Sequence, residues 1–199
     1  MNPVSRGKIV HESFIPSTAR RISCLLGSCG ATGHFRAIKH SPTDLQHEEL
    51  KSRHLLTITM KLAPTLELGD TPAGNRRVFT VSSGQFVGDR LRGEVLSQAG
   101  SDLLLVRADG SSQQDVRLIL RADEGALILM TYRGVRHASP EVSARIARGE
   151  QVAPSDYYLR TAPFFETSSP KYAWLNKIVS VGIGERQHDG VKYEIFEIL

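Results

Sequence analysis

The stretch from Asp115 to Arg133, DVRLILRADEGALILMTYR, decides the fold. Two runs of alternating side chains flank the turn Asp123-Glu124-Gly125, and such a period of two indicates a pair of strands joined by a hairpin. Val116, Leu118 and Leu120 share one face of the first run. One face of each run is mixed rather than purely polar, which is typical of a barrel wall around a partly polar lumen. The stretch therefore predicts two neighbouring strands of a barrel.

Short strand signals continue on both sides of this hairpin, separated by turn residues such as Asp109-Gly110 and His188-Asp189-Gly190. Ser82-Ser83-Gly84 predicts a bulge or bend. The further predicted strands are Leu62–Leu68, Val78–Val81, Leu91–Leu96, Leu103–Arg107, Tyr157–Thr161, Trp174–Gly184 and Val191–Leu199. We expect a mostly β protein with a single antiparallel β-barrel of about eight to ten strands, because closure removes exposed strand edges.

One short helix interrupts the strands. Ser139 is a good N-cap, Pro140 suits the first helical position, and Glu141 suits the positive end of the helix dipole. Gly149 predicts the end of this helix.

Charge and residue usage change near Met60. Residues 1–59 hold 8 Lys or Arg and 4 acidic residues, so the whole net charge of +4 belongs to them, and residues 60–199 carry 17 of each sign. Five of the seven His and both Cys, Cys24 and Cys29, also precede Met60. We predict that residues 1–59 are a disordered or mis-annotated extension and that residues 60–199 form the barrel. A neutral barrel lacks the basic surface typical of nucleic-acid-binding proteins.

Three alternative interpretations of the extension remain. Cys24 and Cys29 with His34 and His40 could be metal ligands, although structural zinc sites usually use closer Cys pairs. The segment after Arg20-Arg21 resembles an export signal or a lipoprotein box, but its apolar run of about five residues is too short. We therefore expect that the protein binds no metal and no cofactor and does not associate with a membrane. We also expect a cytoplasmic location, since nothing in the barrel requires an oxidising compartment.

The barrel sequence contains no phosphate-binding glycine loop, nucleophile elbow or His-Glu-x-x-His motif. Its most distinctive segment is 157–176, which holds several aromatic residues, Arg160, Glu166 and the only Trp, Trp174. If residues 172–176 are extended, then Tyr172, Trp174 and Asn176 share one face. An aromatic pocket with a few polar groups is the usual form of a small-molecule site. A structural aromatic core is the alternative.

The same segment carries a resemblance to a known family. Arg160-Thr161-Ala162-Pro163-Phe164-Phe165-Glu166-Thr167 and Lys171-Tyr172-Ala173-Trp174-Leu175-Asn176 resemble the C-terminal signature of domain of unknown function 3237. Weaker similar motifs are Pro72-Ala73-Gly74-Asn75-Arg76-Arg77, Gly84-Gln85-Phe86-Val87-Gly88, Leu91-Arg92-Gly93, Arg107-Ala108-Asp109-Gly110 and Asp123-Glu124-Gly125-Ala126-Leu127-Ile128. The resemblance covers nearly all of residues 60–199. It implies a compact β-barrel without an established activity.

Two departures from the family pattern bear on any pocket. The family tends to have Gly-Pro where this chain has Gly88-Asp89, and an aromatic residue where this chain has Leu103 after Asp102. A pocket near the strand that contains Asp102 is therefore expected to differ in shape.

Two classes of function follow. The first is a barrel that binds a small aromatic or carboxylated molecule in its lumen, with Arg160 holding a carboxylate or phenolate. The expected ligand-binding residues are Tyr132, Phe165, Tyr172, Trp174 and Asn176. The second is a cofactor-free isomerase, cyclase or lyase in which Glu166 transfers a proton and Arg160 stabilises an enolate. A structural interaction module lacks support from any apolar stretch that we expect to be exposed. The oligomeric state stays open, a homo-oligomer included.

Overall fold

Ten β-strands build nearly the whole of the computed structural model, which describes residues 49–199. The strands are β1 Ser52–Leu62, β2 Leu66–Thr71, β3 Gly74–Val87, β4 Arg92–Val95, β5 Ser101–Val106, β6 Ser112–Ala122, β7 Leu127–Ala138, β8 Tyr157–Glu166, β9 Ser180–Gln187 and β10 Gly190–Ile198. Helix α1 is Pro140–Ala147, and two 3₁₀ helices span Pro154–Asp156 and Pro170–Lys177. The predicted mostly β fold with one short α-helix is confirmed.

Eight of the strands close into an antiparallel barrel. The order around the wall is β1, β10, β9, β8, β7, β6, β4 and β3, and β3 pairs again with β1. The remaining two strands are attached to this wall: β2 pairs with β3, and β5 lies between β3 and β6. β3 pairs with four strands, β1, β2, β4 and β5, because it is long and changes partners along its length. Its register with β1 shifts opposite Ser82, at the predicted bulge.

The hairpin of β6 and β7 has the register that the alternation predicts. Val116 is opposite Tyr132, Leu118 opposite Met130, and Leu120 opposite Ile128. Gly125 takes a φ of 90° in the turn, a backbone conformation that favours glycine. All six paired side chains are buried, so this face of the hairpin lines the lumen.

Apolar side chains fill the lumen near the β6–β7 turn and continue around the wall. The largest fully buried ones there include Leu56, Ile58, Phe86, Leu118, Leu120, Ile128, Met130 and Ile195. Each such side chain contributes about 1.5–3 kcal/mol when it leaves water, so this half of the lumen supplies much of the stability.

Helix α1 follows the predicted capping pattern. The Ser139 hydroxyl oxygen accepts a hydrogen bond from the Val142 backbone N–H at 3.2 Å, and Pro140 begins the helix. Gly149, with a φ of 79°, follows its last turn. Ile146 is the buried residue of the helix and joins the barrel core.

The barrel begins earlier in the chain than predicted. β1 starts at Ser52, eight residues before the expected boundary at Met60, and Leu55, Leu56 and Ile58 are buried. The charge and cysteine pattern gave no sign of this strand, because β1 carries basic residues of its own. Cys24, Cys29, His34 and His40 lie outside the described residues, as does the predicted disorder of the segment before Glu49.

Two predicted strands were wrong. Leu62–Leu68 is not one strand, since it contains the end of β1 and the start of β2. Residues 174–177 belong to the second 3₁₀ helix, and β9 begins only at Ser180. Pro170 at the start of that helix favours the helical backbone, whereas we expected an extended one.

The early start of the barrel gives a test by truncation. A chain that begins at Met60 loses three fully buried side chains of β1 and the strand that closes the wall. At about 1.5–3 kcal/mol for each side chain, the loss is comparable with the whole stability of a typical domain. We expect this chain to lack a cooperative thermal transition by circular dichroism. A chain that begins at Glu49 keeps β1 and should melt within a few degrees of the full chain. A folded chain from Met60 would contradict the role of β1.

Candidate functional site

Arg160 and Glu166 lie on the outer wall of the barrel, which corrects the prediction that they are site residues in the lumen. β8 alternates strictly, and its buried residues are Tyr157, Leu159, Thr161, Pro163 and Phe165. Arg160 and Glu166 share the opposite, exposed face, six residues and about 20 Å apart along the strand. They therefore form no ion pair. The register of β8 with β7, which places Pro163 opposite Tyr132, sets this orientation.

Arg160 nevertheless lines a surface concavity of about 560 Å³. Its guanidinium donates to the Leu159 carbonyl oxygen at 3.0 Å and lies 4.9 Å from the ring centroid of Tyr158. Arg107 and Arg133 line the same concavity, together with Val135, Ala162 and Val181. This concavity lies on the outer wall, because most of its lining side chains belong to the outward faces of β7, β8 and β9.

The aromatic stretch 171–176 has a structural role at the end of the barrel near the β6–β7 turn. The Tyr172 hydroxyl donates to Glu124 Oε1 at 2.7 Å. Hydrogen bonds from Lys171 and Tyr172 lower the pKa of Glu124 to about 2. The Asn176 side chain accepts from Thr167 N–H and donates to the Thr167 carbonyl, both at 2.9 Å.

The remaining predicted ligand-binding residues are also separated from one another. The Trp174 ring lies 3.6 Å from the Arg90 guanidinium carbon, and the ring packs against the apolar core. Phe165 is part of that core, opposite Met130. Tyr132 is the one predicted residue that lies among polar groups inside the barrel. The predicted site is therefore not assembled as one pocket.

A cluster of polar side chains lies in the half of the barrel away from the β6–β7 turn. Asp102 of β5 is opposite Val116, which is opposite Tyr132 in β7, so these side chains point to the same side of the wall. The Tyr132 and Tyr193 rings are 5.5 Å apart in an edge-on arrangement, and both side chains are buried. We call Asp102, Tyr132, Arg136 and Tyr193 the lumen polar cluster.

Asp102 is the group in this cluster whose pKa is raised toward neutral pH. Burial raises the pKa of its carboxyl group from 3.8 to about 6, and the negative charge of Asp115 contributes to the rise. A hydrogen bond from the Asp115 backbone N–H, at 3.1 Å, works in the opposite direction. Burial also raises the pKa of Tyr132 and Tyr193, and the charge of Asp102 adds to both shifts. A carboxyl group that titrates near neutral pH can donate or accept a proton.

Arg136 supplies the positive charge of the cluster. Its Nε donates to Ser112 Oγ at 3.1 Å, and within residues 49–199 its guanidinium makes no ion pair with a carboxylate. Burial lowers the pKa of Arg136, and the nearby positive charges of Arg186 and Arg77 lower it further. Its charge also acts on Tyr193, which connects Arg136 to the rest of the cluster.

Two buried acceptors lie beside this cluster without a hydrogen bond. They are Gln114 Oε1 and Thr161 Oγ1. A side chain at Gly134 would place its Cβ 2.7 Å from Gln114 Oε1, and one at Gly182 would place its Cβ 2.3 Å from Thr161 Oγ1. The two glycines therefore make the space that these polar side chains occupy. Buried acceptors without partners are uncommon and often occur at functional sites.

Apart from Tyr132, the residues of the lumen polar cluster were not predicted from the sequence. The alternation in β6 and β7 did indicate further inward side chains beside Tyr132. Gln114 and Arg136 continue the inward phases of β6 and β7 beyond Val116 and Tyr132. Extending the alternation by one step of two residues in β6 and by two such steps in β7 would have placed both side chains inside. Arg160 and Glu166 are an even number of residues apart in β8, so their side chains lie on the same face of the strand. Two charged residues on one face indicate that this face is exposed. No local pattern marks Asp102 or Tyr193.

Two further findings concern other classes of site. Within residues 49–199, no group of three or more His, Cys, Asp or Glu side chains is arranged to hold a metal ion. In the same part of the chain, we find no helix with the length and apolar character needed to cross a membrane.

The raised pKa of Asp102 predicts a pH-dependent stability effect. Its folded-state pKa lies above the unfolded value, so stability from this group is fully present below about pH 4 and is lost as the pH rises through about 6. Asp102→Asn keeps the oxygen that accepts the Asp115 N–H but carries no charge. We expect the variant to be more stable than the natural chain by about 3 kcal/mol at pH 7.5 and nearly equal to it near pH 4. Urea unfolding at both pH values measures the difference, and a pH-independent result would show that Asp102 is solvated.

The comparisons with known proteins agree with the fold. Residues 50–198 match the family described as Protein of unknown function (DUF3237). A UPF0311 protein of Clostridium acetobutylicum is 32% identical over 152 residues, which are 76% of this chain and 96% of that protein.

Solved structures show the same barrel. A β-barrel like protein from Acinetobacter baumannii has a TM-score of 0.67 at 37% identity, covering 76% of this chain and 98% of that one. An enzyme from Penicillium herquei has a TM-score of 0.57 at 23% identity, covering 75% of this chain and 95% of that one, and so shows a shared fold only. The family resemblance predicted for residues 60–199 is therefore confirmed, and the chain belongs to the DUF3237 family, proteins of unknown function that include the UPF0311 proteins.

Proposed function

We propose that the barrel binds a small organic anion at the lumen polar cluster, with Arg136 as its anchor. The observation that carries this proposal is the partly buried guanidinium of Arg136, which has no carboxylate partner within the described residues. Removing a charge from water costs several kcal/mol unless a counter-charge or strong hydrogen bonds compensate. Ser112 provides one hydrogen bond, so four of the five guanidinium N–H groups remain for a ligand or solvent.

The charges around Arg136 support an anionic ligand. Arg77 and Arg186 are close enough to lower the pKa of Arg136, so this end of the lumen has a positive potential. A carboxylate or phenolate matches the planar donor arrangement of a guanidinium group. The edge-on Tyr132 and Tyr193 rings offer an apolar surface for an aromatic ring, and their hydroxyl groups offer hydrogen bonds. An aromatic acid combines these features.

Calorimetric titration with 4-hydroxybenzoate and its neutral amide tests the proposal. We expect the acid to bind more tightly than the amide, and Arg136→Gln to weaken the acid by about 10- to 100-fold, the effect of one charge-assisted pair. The amide should lose little. Arg160→Gln on the outer wall is the matched control and should leave both affinities unchanged. If Arg136→Gln leaves the affinity for the acid intact, or if Arg160→Gln reduces it, the anion site is not at Arg136.

A second candidate function is a cofactor-free isomerase, cyclase or lyase, which the protonation of Asp102 favours. Glu166 was the expected proton-transfer group, but it lies on the outer wall, whereas Asp102 belongs to the lumen polar cluster. The two Tyr hydroxyls beside Asp102 could stabilise a developing enolate or phenolate by hydrogen bonding. The enzyme from Penicillium herquei shows that a protein of this fold performs catalysis.

Proton exchange at carbon tests this second function. With 4-hydroxyphenylpyruvate as probe, we expect enzyme-dependent deuterium uptake in heavy water at the methylene carbon next to the keto group, followed by proton NMR. The rate should rise with pH and be half-maximal near pH 6, as Asp102 loses its proton. Asp102→Asn should abolish exchange while the probe still binds, and Glu166→Gln should change neither. Exchange that survives in Asp102→Asn would remove Asp102 from the catalytic role.

A further inference from the structure

The two buried acceptors beside the lumen polar cluster belong to one row of residues across four strands of the wall. Gln114 of β6 is opposite Gly134 of β7, and Gly134 is opposite Thr161 of β8. Thr161 is in turn opposite Gly182 of β9. Gln114 and Thr161 are each 5% exposed, so their side chains point into the lumen. We call these four residues the acceptor row.

The acceptor row lies between the two ends of the lumen polar cluster. Tyr132 precedes Gly134 by two residues in β7, and Arg136 follows it by two, so all three share the inward phase. The Arg136 guanidinium stays at its own level of the wall, because its Nε donates to Ser112 Oγ directly opposite at 3.1 Å. Successive inward levels are roughly 7 Å apart along a strand. A ligand that extends from Arg136 to Tyr132 therefore passes over the acceptor row.

The oxygens of the row occupy the space that its glycines leave. Gln114 Oε1 lies 2.7 Å from the place of a Cβ at Gly134, and the Thr161 methyl carbon lies 2.7 Å from the same place. The Thr161 hydroxyl faces the other way, towards Gly182. The methyl group of Thr161 therefore separates the two oxygens, an arrangement that suits two neighbouring hydrogen-bond donors better than one.

Neither oxygen of the acceptor row is held in its position by a hydrogen bond to another residue of the described chain. The two side chains therefore lose no hydrogen bond when they turn towards a ligand. A buried acceptor without a partner costs free energy, and a ligand that supplies the partner removes this cost on binding. A site of this kind discriminates strongly between a ligand with a hydroxyl group and the analogue without it.

We propose that the acceptor row recognises two neighbouring hydroxyl groups of an aromatic acid of the catechol type. One hydroxyl donates to Gln114 Oε1 and the other to Thr161 Oγ1. This inference rests on the proposed function, because Arg136 holds the carboxylate of the same ligand. One level of the wall is about the distance from a ring carboxylate to hydroxyl groups in positions 3 and 4. Both ends of such a molecule therefore reach their partners at once.

Calorimetric titration of the full chain with 3,4-dihydroxybenzoate, 4-hydroxybenzoate and benzoate tests the inference. The three acids carry the same carboxylate and differ only in the number of hydroxyl groups. We expect the affinity to fall in that order by about 5- to 50-fold at each step, the effect of one hydrogen bond to a buried group. Arg136→Gln should weaken all three acids by the same factor.

Two variants remove one oxygen each from the acceptor row. Gln114→Met and Thr161→Val nearly keep the size of the side chain, and circular dichroism confirms folding. Each variant should weaken 3,4-dihydroxybenzoate by about 5- to 50-fold and leave benzoate unchanged. Thr161→Ser keeps the hydroxyl group and is the matched control, which should retain the preference for the dihydroxy acid.

The melting temperature gives a readout that does not depend on any ligand. Because Thr161→Val removes a buried hydroxyl group without a partner, we expect it to raise the melting temperature by about 2–4 °C. Removal of a hydroxyl group with a structural role would lower the melting temperature. That result would overturn the proposal, since the oxygen would already be satisfied within the protein.

The outcomes separate this inference from the proposed function. Three acids that bind equally and all depend on Arg136 would leave the anion site in place and overturn the role of the acceptor row, because water molecules alone would then satisfy its oxygens. A preference for the dihydroxy acid that survives both Gln114→Met and Thr161→Val would also overturn that role. If none of the acids binds the natural chain, the proposed function and this inference both fail.

Discussion

The pairing of β1 with β10 on one side and β3 on the other is the interaction on which the rest of the structure depends. It joins the two ends of the sheet and converts an open sheet into a closed wall. The cost is entropic, because Ser52 meets Ile198 from the opposite end of the described chain. Leu55, Leu56 and Ile58 offset it by burial in the lumen. Without β1, β3 and β10 would both present open edges, and the lumen would be exposed to water along that side.

Closure also divides the molecule into two chemical environments. Every strand of the wall turns one phase of its residues inward, where water is largely excluded, and the other phase outward. The apolar half of the lumen gives stability, whereas the other half holds a carboxyl group, two phenols and a guanidinium. Burial changes the pKa of each of these groups, and such shifts are characteristic of functional sites. The outer wall carries a different kind of surface, on which Phe164, Val181 and Ile183 of β8 and β9 are exposed.

The site residues illustrate what local sequence could and could not predict. Tyr132 was placed correctly inside, because its strand alternates regularly and its turn fixes the register. Arg160 and Glu166 were assigned to the lumen on their chemistry, although their shared phase in β8 indicates the outer face. Trp174 and Asn176 were expected on an extended strand, but a 3₁₀ helix places them at the end of the barrel. Asp102 was not singled out as a site residue from the sequence, and it gains its place in the lumen polar cluster only from its neighbours in the folded chain.

By itself, the sequence determined the mostly β class with one short α-helix, the β6–β7 hairpin, the cap of α1 and the family. These features rest on interactions between residues close in the chain, such as a turn or a capping hydroxyl. Only the tertiary structure decided that β1 closes the barrel, that Asp102 lies near Tyr132 and Tyr193, and that β8 and β9 expose an apolar face. These features depend on the register between distant strands. A shift of one residue in that register would exchange every inward side chain of a strand for an outward one.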